Sequence, residues 1–214
     1  MRVKDVMTHN PVYISPAASV VEAKTLMTKQ NISKLPVLDN NKRLVGIITK
    51  NDLNKAGPSQ ATTLDMYEIG YLLSKLTVEK IMHKKVTTVS EDEVIEEAAR
   101  IMVDEGIGCL PVMKDSLMVG IITASDLFKT LIDLFGVRQK GVRATFMVKD
   151  VPGELAKLSK LITDVGGNII SIITWEGETL EYKRITVKAS GISFDQMKNI
   201  SVTMGCELRN ISEI

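Results

Sequence analysis

The sequence predicts an α/β (α+β) protein in which one β-α-β-β-α unit is used twice and a smaller βαββαβ unit follows. Three observations carry this. Gly46-Ile47-Ile48-Thr49-Lys50-Asn51-Asp52-Leu53 returns 74 residues later as Gly120-Ile121-Ile122-Thr123-Ala124-Ser125-Asp126-Leu127. Ahead of it the offset is 75: Val3 matches Val78, Met7 Met82, Ser15 Ser90, Ala23 Ala98, Met27 Met102, and Leu35-Pro36-Val37 matches Leu110-Pro111-Val112, so the second copy loses one residue between Val112 and Gly120. The chain after Gly141 has no counterpart in either copy. A repeat of this kind is one supersecondary unit used twice, each copy leaving an apolar face for the other, and a site built by one copy has a pseudo-symmetric twin.

Each copy opens with a short strand, Val12-Tyr13-Ile14 or Val86-Thr87-Thr88-Val89. A helix follows. Ser19-x-x-Glu22 is a capping box, Val20, Ala23 and Met27 fall at helical spacing, and the second copy has Ile95, Ala98, Ile101 and Met102. Strands are expected at Leu35 to Leu38 and Leu110 to Met113, then turns at Asn40-Asn41-Lys42 and Lys114-Asp115-Ser116. The third strands are Leu44 to Thr49 and Met118 to Thr123, and second helices start near Asn51 and Ser125. Ala56 to Thr63, with Gly57-Pro58-Ser59, reads as a loop. Tyr67, Leu72, Leu73 and Leu76 suggest a connecting helix. The domains are thus 1–77 and 78–135 for the copies, 136–141 for a linker and 142–214 for the tail.

In the tail, Arg143 to Val148 alternates as a strand does, and Asp150-Val151-Pro152-Gly153-Glu154-Leu155 opens a helix with Pro152 near its first turn. Leu155, Leu158, Leu161 and Ile162 form the helix stripe, which Gly166-Gly167-Asn168 ends. Strands Ile169 to Trp175 and Lys183 to Lys188, a helix through Phe194, Met197, Ile200 and Met204, and a strand Cys206 to Ile211 complete the ferredoxin-like order.

The 214 residues carry a net charge of +1, which gives no field toward nucleic acid or an acidic membrane. The charge is uneven: residues 1–77 hold 10 basic and 6 acidic side chains (+4), residues 78–135 hold 6 and 11 (−5), and the remainder 11 and 9 (+2). The copies share a skeleton and differ in surface. Cys109 and Cys206 lack a C-x-x-C spacing and read as buried thiols of a reducing compartment. The charged start Met1-Arg2-Val3-Lys4-Asp5 lacks a signal core and no run has the length of a membrane span, so a cytoplasmic protein is expected.

The two histidines, His9 and His83, stand in short segments ahead of the first strands and read as surface or packing residues. No metal cluster, P-loop, G-x-S-x-G or placeable Cys–His pair is present, so no catalytic residue, no metal and no catalytic cofactor is assigned, and the protein is expected not to be an enzyme. By itself Thr-x-x-Asp at a helix start, at Thr49/Asp52 and Thr123/Asp126, is either a cap that satisfies free N–H groups or a polar site for a ligand.

The paired tracts resemble cystathionine-β-synthase (CBS) domains, whose Leu-Pro-Val strand and Gly-h-h-Thr/Ser-x-x-Asp strand, h being apolar, both copies fit. The tail resembles an ACT domain through Asp150-x-Pro152-Gly153-x-Leu155 and Gly167-Asn168-Ile169. The order CBS–CBS–ACT is similar to that of acetoin-utilisation-type regulators. The CBS resemblance implies that the aspartate accepts from both ribose hydroxyls of an adenosine ligand (AMP, ADP, ATP or S-adenosylmethionine) and that the threonine meets ribose or phosphate. A carboxylate has the acceptor sites for this. It places nucleotide pockets at Thr49, Asp52, Lys34, Pro36 and Val12, and at Thr123, Asp126, Cys109 and Pro111. Lys34 offers a point charge for phosphate where the second copy has Gly108-Cys109, so the first pocket is expected to tolerate more phosphate and the second to prefer adenosine-like or thioether ligands. The ACT resemblance implies an amino acid or small metabolite at Asp150, Pro152, Gly153, Asn168 and Ile169, positions that turns use equally well. A homodimeric, ligand-sensing regulator of an unknown target protein is the expected function; the alternative is a dimerisation or assembly module with degenerate pockets.

Overall fold

The computed structural model describes residues 1–56 and 65–214, so the predicted loop Ala56 to Thr63 lies, Ala56 apart, outside the described residues. Two compact units, Met1–Leu127 and Phe128–Ile214, divide the chain.

The first unit holds β1 (Thr8–His9), α1 (Val20–Lys29), β2 (Lys34–Leu38), β3 (Leu44–Thr49), α2 (Lys50–Lys55), α3 (Met66–Lys75), β4 (Val89–Ser90), α4 (Ile95–Asp104), β5 (Cys109–Lys114), β6 (Leu117–Thr123) and the start of α5 (Ala124–Leu134). The Ser19/Glu22 capping box forms as read, with the Ser19 hydroxyl accepting from the Glu22 amide at 3.1 Å. The hairpin turns place Lys42 and Asp115 at φ near +59° and +53°. Leu73 of α3 and Leu76, the residue that caps its C-terminal end, pack on the core, whereas Tyr67 and Leu72 are exposed.

The expected first strands shrink to a bridge at Ile14 and to Val89–Ser90. The prolines explain this. Ile14 N donates to Pro36 O and Leu38 N to Ile14 O, but Pro36 has no N–H to extend this parallel ladder back toward Val12. Val12 and Tyr13 are left exposed. Pro111 stands in the same relation to Val86–Thr88, because Val89 pairs with Val112 as Ile14 does with Val37.

The repeats exchange the segments that precede them. Val3, Met7 and β1 belong in sequence to the first copy but complete the second: β1 pairs with β6 (Thr8 with Ile121), and Val3 and Met7 are buried in the core with Val89, Ala98, Leu110 and Ile122. Reciprocally, Val78 is buried among Ile14, Val20, Ala23, Leu35 and Ile48, and His83 pairs with Ile47. Val3 N to Glu93 O and Val78 N to Ala18 O, 2.8 and 2.9 Å, tie the exchanged segments at equivalent points. Each hydrophobic core is therefore built from both repeats. The glycine of each repeated octet follows from this exchange: a Cβ on Gly46 would lie 2.5 Å from Met82 Sδ, and one on Gly120 would fall on Met7 Sδ.

The second unit contains β7 (Val142–Lys149), α6 (Glu154–Asp164), β8 (Asn168–Glu176), β9 (Tyr182–Ser190), α7 (Phe194–Met204) and β10 (Glu207–Glu213). Its antiparallel sheet has the order β10-β7-β9-β8. Phe146, Val148, Ile185 and Val187 alternate onto one face and pack against Leu158, Ile162, Met197 and Ile200 of the helices. The expected helix start moves: Gly153, at φ +100°, is the N-cap, so Pro152 stands before the helix rather than in its first turn. Leu155 and Phe194, expected on the helix stripes, are exposed.

Candidate functional site

Each octet makes a corner where a strand runs into a helix, and the two corners are built alike. At the first, Asp52 Oδ2 accepts from the Thr49 amide (2.8 Å) and the Thr49 hydroxyl (2.7 Å), while that hydroxyl accepts from the Asp52 amide (3.3 Å). At the second, Asp126 Oδ2 takes the same two bonds from Thr123, 3.0 and 2.7 Å, and the third is 3.4 Å. Both pairs thus act as caps. A cap uses one carboxylate oxygen and fixes the direction of the other.

The corners differ in what the exchanged segment brings. His83 Nε2 lies 3.1 Å from Asp52 Oδ1, the oxygen the cap leaves over. The equivalent of His83 in the other half is Thr8, which pairs with Ile121 beside the second corner. Burial by itself raises the Asp52 carboxyl, but the Thr49 hydroxyl, the Thr49 amide and His83 outweigh it and hold the group below the usual carboxylate range. His83 is a surface residue as expected, its side chain 62% exposed; its contact with Asp52, 31 positions away in the other repeat, is the part that local sequence does not show. The available signal was the octet offset of 74 against 75 upstream, which aligns His83 with Thr8 as a difference between otherwise matching halves.

Lys34, expected to face phosphate, sits opposite Thr49 in the β2–β3 hairpin and donates from Nζ to Gly108 O at 3.0 Å. That carbonyl also accepts from Ala124 N at the second corner. Lys34 therefore bridges the repeats, spending one of its three donors to do so. Cys109 is Lys34's counterpart, opposite Thr123. Burial pushes its thiol up and the Lys34 charge pulls it part of the way back. Pro36 and Pro111 are buried in β2 and β5, and Val12 is exposed. A cavity of about 270 Å³ between α1 and α2 is lined by Met27, Asn31, Ser33, Lys50, Leu53 and Asn54 among others, and by neither Thr49 nor Asp52.

The family model of the CBS domain matches residues 3–59 and 78–133, more than half of the chain. The chain belongs to the CBS-domain family. Among solved structures, its CBS pair is similar to a putative acetoin utilization protein (AcuB) from Vibrio cholerae, 33% identical with a TM-score of 0.54, over 64% of this chain and 95% of that one. It is similar to the CBS domain pair of protein MJ0100 in complex with 5′-methylthioadenosine and S-adenosyl-L-methionine, 33% identical with a TM-score of 0.52, over 65% and 98%. It is also similar to CBSX2 in complex with AMP, 27% identical with a TM-score of 0.51, over 64% and 98%. CBS pairs similar to this one thus bind adenosine ligands. L-aspartate semialdehyde sulfurtransferase of Methanocaldococcus jannaschii is 34% identical over 135 residues, and the match takes in 63% of this chain but only 23% of that enzyme. The enzymes among the relatives share the CBS pair as one part of a longer chain.

The tail positions singled out from the sequence do not meet within one chain. Asp150, Pro152 and Gly153 follow the end of β7, where Asp150 pairs with Lys183 at 2.9 Å. Asn168 and Ile169 begin β8, opposite Ser190 and Ala189, which lie across from the start of β7. The eight residues of β7 separate the two groups, roughly 25 Å at the rise of a strand. Among the described residues no group of three His, Cys, Asp or Glu is placed to hold a metal, and no helix is long and apolar enough to cross a membrane.

Proposed function

We propose that the protein is a non-catalytic, ligand-sensing regulator whose CBS pair binds adenosine ligands at Thr49/Asp52 and Thr123/Asp126. The observation that carries this is the twin corner: two half-buried aspartates, each held by its own threonine, in a pair similar to ones solved with AMP and with S-adenosylmethionine. In this reading a ribose hydroxyl donates to the Asp52 oxygen that His83 occupies. Ligand binding at the first corner exchanges the His83–Asp52 contact for a ribose contact, and so moves a segment belonging to the second repeat. Lys34 joins the corners and carries the change between them. The shift cannot exceed the ligand's differential affinity for the two arrangements.

The tail is read as an ACT-like, ferredoxin-like domain taking a small metabolite or amino acid. Its distribution of Asp150 and Asn168 to opposite ends of the sheet is consistent with a site assembled from two copies, and hence a homodimer. Cytoplasmic location and action on a target protein belong to the same proposal and rest on the sequence reading alone. Isothermal titration with AMP, ADP, ATP, 5′-methylthioadenosine and S-adenosylmethionine tests the first part. Saturable binding of at least one ligand, at one or two sites per chain, supports the sensor. Heats indistinguishable from dilution for all five support the assembly module, a reading favoured by one fact: both Asp52 oxygens already have protein partners.

A further inference from the structure

The face of the tail sheet turned away from α6 and α7 carries chemistry that the adenosine reading does not use. Strand register sets Ser212, Arg143, Lys188 and Ser171 in one row across β10, β7, β9 and β8. The neighbouring row contains Thr145, Thr186 and Ile173. Arg143 and Lys188 therefore stand directly opposite each other, an arrangement of like charges that destabilises a sheet. Lys188 is 2% exposed, and its Nζ donates to Gly136 O at 3.0 Å. An ammonium has three donors and no acceptor. Among the described residues no carboxylate forms an ion pair with Lys188 or with Arg143. Burying a cation without a counter-charge is costly.

A cavity of about 110 Å³ lies against these two cations. Thr186 adds a hydroxyl to its wall, Phe135, Val137, Ile173 and Ile214 supply apolar surface, and no aspartate or glutamate side chain lines it. Among the described residues the carboxylate of Ile214, the last residue, forms no ion pair with either cation. At about 30 Å³ per water it has room for a molecule of a few non-hydrogen atoms. We infer that this pocket binds a short-chain carboxylate, its oxygens between Lys188 and Arg143 and its hydrocarbon end against Phe135, Val137 and Ile173. The bound anion supplies the missing counter-charge and relieves the repulsion across the strands. The site uses none of Asp150, Pro152, Gly153, Asn168 and Ile169, and its ligand carries no adenine, so it stands or fails apart from the nucleotide reading.

Thermal unfolding of the full chain in sodium acetate, propionate and butyrate, against sodium chloride and phosphate at equal ionic strength, tests it. The carboxylates are expected to raise the midpoint in a saturable way above chloride and phosphate, butyrate most. Arg143→Gln is expected to weaken the apparent affinity about tenfold or more, the loss of one charge-assisted contact, and Lys188→Met to abolish the effect. Ile173→Ser is expected to remove the preference for butyrate over acetate. If Lys188→Met does not fold, the half-buried Arg143 and Ile173 variants still decide. The inference is overturned if no carboxylate stabilises beyond chloride and phosphate, or if the stabilisation survives Arg143→Gln unchanged.

Discussion

Gly120→Ala is expected to strain the fastening of the two repeats, and the strain can be traced to one side chain. A Cβ there would fall on Met7 Sδ and lie 3.0 Å from both Met7 Cγ and the Thr8 carbonyl oxygen. Met7 is 7% exposed, so its sulfur has little room to swing aside, and Thr8 is held in the sheet against Ile121. Overpacking by one carbon in such a place costs about 1–3 kcal/mol. For a chain of this size each kcal/mol lowers the unfolding midpoint by roughly 2–4 °C. Met7→Ala alone opens a cavity and costs about 2–5 kcal/mol. In the double variant the new methyl enters the space the methionine leaves, so the losses should fall short of their sum by about 1 kcal/mol or more. Urea unfolding followed by far-UV circular dichroism on the wild type, both single variants and the double gives this coupling directly. Additivity within about 0.5 kcal/mol would mean that Met7 does not pack on β6, and the exchange of lead-in segments would be refuted.

Thr49→Ala should cost about 1 kcal/mol by removing the α2 cap, and Thr49→Ser should restore most of it; chemical denaturation of the three proteins checks this. Asp52 titrates below its unfolded-state value of about 3.9, so the folded protein binds fewer protons there. Its contribution is complete above that value and is lost as pH falls through the folded one. Acid unfolding curves of wild type and Asp52→Asn should therefore be separated near neutral pH and converge in strong acid; a constant gap down to the lowest pH would contradict the pairing. Lys34→Met removes the bond to Gly108 O, which keeps Ala124 N as a partner, and should cost about 1 kcal/mol. If Lys34 also meets phosphate, the same variant weakens AMP and leaves 5′-methylthioadenosine, which has no phosphate, unchanged; equal weakening of both by calorimetry would limit Lys34 to the bridge.

Much of the local structure was legible because it depends on short-range signals. The capping boxes at Ser19 and Thr49, the hairpin turns at Lys42 and Asp115, and the buried Ala23, Met27, Ala98 and Met102 follow from spacing within a few residues. Pro36 and Pro111 also shortened the first strands, an effect visible in the sequence once the parallel partner is known. What could not be read was contact between distant segments. The octet repeat says that two units exist, but nothing local says that Met7 packs on Gly120 and Met82 on Gly46 rather than within their own copies. His83 reaches Asp52, and Lys34 reaches Gly108, only through that exchange. Pairing Arg143 with Lys188 likewise needs the β7–β9 register, which alternation alone leaves open.

The central claim, that the twin Thr/Asp corners bind adenosine ligands, is tested most directly by calorimetric titration of the best-binding adenosine compound into wild type, Asp52→Ala and Asp126→Ala. A ligand at about 100 times its Kd should also add roughly 2.7 kcal/mol of stability to the wild type, so thermal unfolding serves as a parallel reading. The account predicts that one variant, or each at its own site, loses binding stoichiometry while remaining folded. Undiminished binding in both variants, or none in the wild type, would contradict it and leave the corners as helix caps alone.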